Sequence, residues 1–218
     1  MVSKDNIRCL MLGDVFPDLK GNTSDGEISL YDYMGDGWLL FFSHPRDFTP
    51  VCTTELGRVA KLKDEFAKRN TKVIALSCDK VDSHKEWIKD IDRTQSCVVN
   101  FPIIADEDFK LARQCGMYHP EIDPKATVRS CFIISPNKKV RLIIQYPPST
   151  GRNFDEVLRC LDSLQLTDKY SVATPENWKE GDKVVIIPSI KNEQAKEKFP
   201  QGWEEVTPYL RMVQLEKK

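Results

Sequence analysis

Trp38-Leu39-Leu40-Phe41-Phe42 is an unbroken apolar run, with Gly37 before it and Pro45 shortly after. A run this short and this apolar reads as a strand covered on both faces, so the sheet it belongs to needs a layer on each side. The next residues supply one. Leu56, Val59, Ala60, Leu62, Phe66 and Ala67 recur at helical spacing among Glu55, Arg58, Lys61, Lys63, Asp64 and Lys68, the pattern of an amphipathic helix. Val73-Ile74-Ala75-Leu76-Ser77-Cys78 repeats the buried-strand pattern, and Ser83-His84-Lys85-Glu86 has capping-box spacing at the head of a helix through Trp87 and Ile88. The order is β-α-β-α.

Further on, Phe101 to Ile104 reads as a short strand and Asp108 to Cys115 as a short helix. Val128 to Ser135, the turn Pro136-Asn137-Lys138-Lys139 and Val140 to Gln145 predict a hairpin. Asn153 to Glu156 has N-cap spacing for a helix carrying Val157, Leu158, Leu161 and Leu164, and Phe16 to Leu30 suggests an N-terminal hairpin. Together these predict an α/β fold, a thioredoxin-like mixed sheet flanked by helices, over residues 1–166. Residues 167–218 are rich in Pro and Gly and offer one good strand, Val184 to Ile187, so they are expected to form a small C-terminal arm packed on the main domain or on a partner subunit.

A formal net charge of −1 gives no sequence-wide reason to expect nucleic acid or an anionic membrane as partner. Met1 to Gly13 holds only Cys9-Leu10-Met11-Leu12 as an apolar run, too short for a leader core, and no stretch nears the ~20 apolar residues of a membrane span. A cytoplasmic protein is expected. The seven cysteines, at 9, 52, 78, 97, 115, 131 and 160, form no CxxC, which argues against a zinc ribbon or a dithiol motif. Most are expected to be buried thiols, and neither metal nor organic cofactor is indicated.

Cys52 stands apart. In Ser43-His44-Pro45-Arg46-Asp47-Phe48-Thr49-Pro50-Val51-Cys52-Thr53-Thr54-Glu55 a buried strand passes into a helix. With Thr49 as N-cap, Pro50 falls at the first helical position and Cys52 in the first turn, facing unpaired N–H groups and the positive end of the helix dipole. Such a position favours thiolate over thiol. Spacing alone leaves two readings open, a reactive thiol and one more buried cysteine.

The same residues, Pro45-x-x-x-Thr49-x-x-Cys52, resemble the active-site signature of the peroxiredoxins, and the wider stretch to Leu56 resembles the 1-Cys, peroxiredoxin 6 subfamily. Phe101-Pro102-Ile103-Ile104, Arg129, Thr150-Gly151-Arg152-Asn153-Phe154-Asp155-Glu156 and Val172-Ala173-Thr174-Pro175 are similar to that subfamily's later landmarks. The resemblance implies a thiol peroxidase acting on hydrogen peroxide and organic or lipid hydroperoxides. Cys52 would be the peroxidatic cysteine, Thr49 a hydroxyl donor to thiolate and peroxide, Arg129 the stabilising cation, and Pro45 a shield against water. It also implies a homodimer, with glutathione delivered by a glutathione transferase as the external thiol reductant. No cysteine follows Cys160, which falls with Val157, Leu161 and Leu164 on an apolar helix face, so a one-cysteine cycle is expected.

Vertebrate members of the subfamily are credited with phospholipase activity through a Gly-Asp-Ser-Trp-Gly motif with a histidine and an aspartate. Here Gly37 stands for the serine, Tyr31 for the histidine and Asn137 for the aspartate, so that triad is not expected to work. Two other uses of Cys52 remain open to test: a redox relay or chaperone, and a hydrolase pairing it with His44. Arg152 is expected to orient the site or to lie at the surface, His44 to be structural or to support the site from behind, and His84 and His119 to be ordinary.

Overall fold

The computed structural model describes residues 9–215. Residues 1–8 of the stretch weighed above as a leader lie outside them. The chain divides into two units, Met1–Phe154 and Asp155–Lys218.

The first unit opens with the expected hairpin, β1 (Lys20–Thr23) and β2 (Gly26–Ser29), paired antiparallel and turned at Gly26 with φ 112°. α1 (Leu30–Met34), β3 (Trp38–Ser43), α2 (Pro50–Lys61), α3 (Lys63–Lys68), β4 (Thr71–Ser77), α4 (Val81–Gln95), β5 (Ile103–Ala105), α5 (Lys110–Gln114), β6 (Arg129–Ile134) and β7 (Val140–Tyr146) follow. The strands form one sheet in the order β2-β1-β5-β4-β3-β6-β7. β3, β4 and β5 run parallel, while β6 lies antiparallel to β3 and β7 antiparallel to β6. This is the thioredoxin-like mixed sheet that the apolar runs required, and all six residues of β3 are buried.

Three local expectations are corrected. The helix expected through Ala67 is two helices meeting at Leu62, whose N–H reaches both Arg58 O and Val59 O as the last turn tightens. α4 begins two residues before the proposed capping box, with Lys80 at the N-cap, because the Ser83 hydroxyl is spent on Asp47. Of the seven free cysteines, only Cys52, Cys115 and Cys131 are buried, Cys9 is exposed and the other three are intermediate.

The second unit holds most of α6 (Phe154–Tyr170), which runs past residue 166, then β8 (Val184–Val185), α7 (Asn192–Lys198), β9 (Glu204–Thr207) and β10 (Leu210–Val213). Its three strands form a sheet in the order β8-β10-β9. Val172, Trp178, Val184, Ile186, Phe199 and Val213 build an apolar cluster of their own, so the segment is more than the one-strand arm its composition suggested. β9 escaped the pattern reading because Glu204-Glu205-Val206 is exposed and shows no apolar alternation.

In the first core, Phe41 meets the ring of Phe16 edge-on at 5.4 Å and lies 6.5 Å from that of Phe132. Phe41→Ala should lower the unfolding free energy in urea by about 3–5 kcal/mol, because a fully buried ring leaves a cavity the sheet cannot close. A loss below ~1 kcal/mol would show that the core relaxes around the missing ring.

Candidate functional site

The sequence around β3 and α2 places Cys52 as its spacing predicted. Thr49 is the N-cap of α2 in extended conformation (φ −114°, ψ 147°), Pro50 opens the helix, and Cys52 sits in the first turn, fully buried. The Thr49 hydroxyl is not used as a cap: it donates to Arg46 O at 2.9 Å. Pro45 is buried.

Arg129, at the start of β6, comes to Cys52 because the ends of β3 and β6 are stitched together. Ser43 Oγ donates to Val128 O at 2.6 Å and accepts from Ser130 N at 3.1 Å, and Thr127 Oγ1 donates to His44 O at 2.8 Å. Arg129 Nη1 then lies 3.3 Å from Cys52 Sγ and 2.8 Å from Glu55 Oε2, while its Nε and Nη2 donate to Pro148 O. Four of its N–H contacts are thereby fixed before any substrate arrives.

Glu55 and Arg152 complete the group, and neither was assigned a definite place by sequence reading. Arg152 donates from its backbone N and from Nε to Glu55 Oε1, from Nη2 to Glu55 Oε2, and from Nη1 to Ser130 O. Its guanidinium also lies over the Phe42 and Phe154 rings at 5.1 and 5.4 Å. Burial pushes the Glu55 carboxyl up, but the hydrogen bonds and charge of Arg152, joined by Arg129, outweigh it and leave the group below the usual glutamate range. Two cations and one carboxylate therefore share a buried space beside the sulfur, and the cluster carries one positive charge of its own. The signal for Glu55 was its position three residues after Cys52, on the same helix face.

A second buried group gathers around Asp47. His44 Nε2 donates to Asp47 Oδ1 at 2.9 Å, and His84 Nδ1 and Ser83 Oγ donate to Asp47 Oδ2 at 2.8 and 2.7 Å. Burial lowers the pKa of His44 below its ordinary value, against the pull of the Asp47 carboxylate bonded to it. Its Nδ1 has no hydrogen-bond partner among the described residues. His44 makes no hydrogen bond to Cys52 among the described residues, so the alternative Cys-His pair is not formed, and both His44 and His84 are buried side chains bonded to Asp47. His44, Asp47 and His84 are of metal-binding type, with ligand atoms within 4.8 Å of one another. Their N···O separations are hydrogen bonds, however, and ligands held ~2.0–2.1 Å from a tetrahedral zinc ion would stand about 3.3 Å apart. As arranged, the group is a hydrogen-bonded cluster.

Cys160 does not occupy a buried apolar face. It is half-buried, donates to Glu156 Oε1 at 3.2 Å, and its thiol is pushed up to about 11 by burial and by that carboxylate. At the phospholipase positions, Tyr31 Oη donates to Phe16 O and Asn137 Oδ1 accepts from Ser135 Oγ. A Cβ added at Gly37 would meet Asn70 O at 2.8 Å, so a side chain there needs the backbone to shift.

The family model of the AhpC/TSA family matches residues 12–143, and that of the C-terminal domain of 1-Cys peroxiredoxin matches residues 163–202. The chain is 56% identical over 204 residues to a 1-Cys peroxiredoxin of Dictyostelium discoideum, covering 94% of this chain and 85% of that one. It is 53% identical over 202 residues to peroxiredoxin-6 of Homo sapiens, covering 88% and 90%. Among solved structures, a cysteine-to-serine mutant of the peroxiredoxin 6 of Arenicola marina superimposes with a TM-score of 0.89 at 44% identity, covering 96% of this chain and 100% of that one. A yeast mitochondrial 1-Cys peroxiredoxin, described with its thiol resolving mechanism via glutathione/thioredoxin systems, gives 0.89 at 47% identity, covering 94% and 100%. The chain belongs to the peroxiredoxins, in the 1-Cys branch that contains peroxiredoxin 6, and is a thiol-dependent peroxidase.

Proposed function

We propose that Cys52 is the peroxidatic cysteine and that Arg129, Thr49 and Pro45 form its working surroundings. The observation that carries this reading is the Arg129 guanidinium 3.3 Å from Cys52 Sγ, in a buried cluster whose own charge is positive. An anionic sulfur completes that charge balance. The thiolate attacks the terminal oxygen of a hydroperoxide. An S–O bond forms as the O–O bond breaks, and the leaving alkoxide or hydroxide takes a proton to become alcohol or water. Arg129 faces the charge as it passes from sulfur to oxygen. Pro45 closes the pocket, and the Thr49 hydroxyl turns from Arg46 O to the peroxide.

The sulfenic acid condenses with an external thiol, releasing water, and a second thiol displaces Cys52 from the mixed disulfide. Two electrons from two thiols balance the cycle. Glutathione, delivered by a glutathione transferase, suits this role; the yeast relative's glutathione/thioredoxin systems and the high pKa of the Cys160 thiol support an external reductant. Hydrogen peroxide and organic or lipid hydroperoxides are the substrates. Family membership favours peroxidase turnover over a relay or chaperone use of the same cysteine. The chemistry lies within residues 1–166, and residues 167–218 serve as the dimerisation arm of a homodimer. The position of β7 at the edge of the sheet, with Leu142, Ile144 and Tyr146 half-buried, supports such pairing. Seven free thiols suit a cytoplasmic location.

With hydrogen peroxide and glutathione, Cys52→Ser should abolish peroxide consumption and Arg129→Ala should slow it by about 10²–10³-fold, the usual scale for losing one charge-stabilising donor. Turnover surviving in Cys52→Ser would sink the reading. Glu55→Gln should cost about 3–5 kcal/mol of stability at pH 7, because two buried arginines lose their counter-charge. Since the folded carboxyl sits below its unfolded value, its contribution is present above about pH 4.3 and fades as pH falls through the folded value. The acid limb of a stability–pH curve should therefore be shallower in the variant, and an unchanged limb would contradict the assignment. Phosphatidylcholine vesicles should release no fatty acid above a protein-free control, since glycine at position 37 offers no nucleophile.

A further inference from the structure

The segment between β3 and α2 carries Pro45 and Thr49, yet its backbone passes through an unfavourable conformation. Phe48 has φ 53°, in the left-handed region where a bulky side chain is an outlier, and its ring is 57% exposed. Something must hold it there. The fixed points next to it belong to Asp47. Both carboxylate oxygens are engaged, by His44, His84 and Ser83, and the Asp47 N–H donates to Asp79 Oδ2 at 3.0 Å. Asp79 is itself held by Ser77 Oγ at 2.8 Å.

Three of these partners lie on α4 or the turn leading into it, not on the active-site segment. α4 presents Ser83, His84 and Trp87, and Trp87 lies 4.9 Å from the His44 ring, 6.4 Å from the Phe48 ring, and donates from Nε1 to Thr53 Oγ1. Thr53 in turn donates to Thr49 O at 2.8 Å. The segment is thus gripped from one neighbouring helix at both ends, at Asp47 before the strained residue and at Thr53 beyond the N-cap. Burial would push the Asp47 carboxyl up, but the two histidine hydrogen bonds hold it well below the usual range, so it remains an acceptor for all its donors at neutral pH.

We infer that Asp47, clamped by His84 of α4, is a positioning residue for the peroxidase step, holding the Pro45–Thr49 segment in the geometry that receives the peroxide. This rests on the reading of Cys52 given above. The clamp does not touch the sulfur, so it governs where Thr49 and Pro45 stand, not whether the thiol is available. A displacement of about 1 Å in such groups is enough for a large loss of rate.

The test compares two reactions of Cys52 in the full-length protein: oxidation by hydrogen peroxide in single-turnover stopped flow, and alkylation by iodoacetamide, followed on the Cys52 peptide by mass spectrometry. Asp47→Asn and His84→Ala should each slow oxidation roughly tenfold or more while alkylation stays within about threefold of wild type. His84→Asn, whose amide N–H can stand where Nδ1–H does, should recover most of the oxidation rate. Should Asp47→Asn not fold, the His84→Ala and His84→Asn pair decides. Oxidation within about threefold of wild type in His84→Ala, a parallel fall of both reactions, or no recovery in His84→Asn would overturn the inference. Peroxide turnover in Cys52→Ser would instead overturn the underlying reading, so the two failures are distinguishable.

Discussion

Arg129 is shared between a carboxylate and a sulfur, and much of the first unit is arranged around keeping it there. A guanidinium that is 2% exposed would be costly to bury alone. Glu55 supplies one counter-charge at 2.8 Å, but Glu55 is also bound by Arg152, so one carboxylate answers two cations. The deficit is local and lies against Cys52 Sγ. The fold meets this demand from three directions: α2 brings Cys52 and Glu55 on one face, β6 brings Arg129, and the segment before α6 brings Arg152. The β3–β6 stitching through Ser43 and Thr127 fixes the relative height of helix and strand on which the 3.3 Å contact depends.

A helix N-terminus and a cation then act on the same atom. Cys52 lies in the first turn of α2, where backbone N–H groups lack helical acceptors, and Arg129 approaches from β6. The sulfur is fully buried, and the Arg152 guanidinium behind it lies over the Phe42 and Phe154 rings. Preorganised donors of this kind cost no rearrangement when charge moves along the O–O bond.

What could be read from sequence was local. The strand run at Trp38 to Phe42, the Thr49-Pro50 helix start and the first-turn place of Cys52 depend on neighbours within a few residues, and the structure has each of them. Arg129 was named through family resemblance, since a lone arginine on a strand carries no sign that it faces inward. Arg152 to Glu55 spans 97 residues and Asp47 to His84 spans 37, and no periodicity links such pairs. Ser83 shows the same limit from the other side: its spacing with Glu86 suggested a cap, but the tertiary partner Asp47 claimed the hydroxyl. The second unit was underestimated because β9 is exposed and polar, and its membership in a sheet is set by pairing with β10.

If one thiol of the seven does the redox work and its reductant comes from outside the chain, peroxide marks that thiol alone. Intact-protein and peptide mass spectrometry after one equivalent of hydrogen peroxide, with a sulfenic-acid trap such as dimedone, tests this directly. Expected are one added oxygen per chain without the trap and, with it, a single dimedone adduct on Cys52, the other six cysteines staying reduced. A disulfide joining Cys52 to another cysteine of the same chain would contradict it.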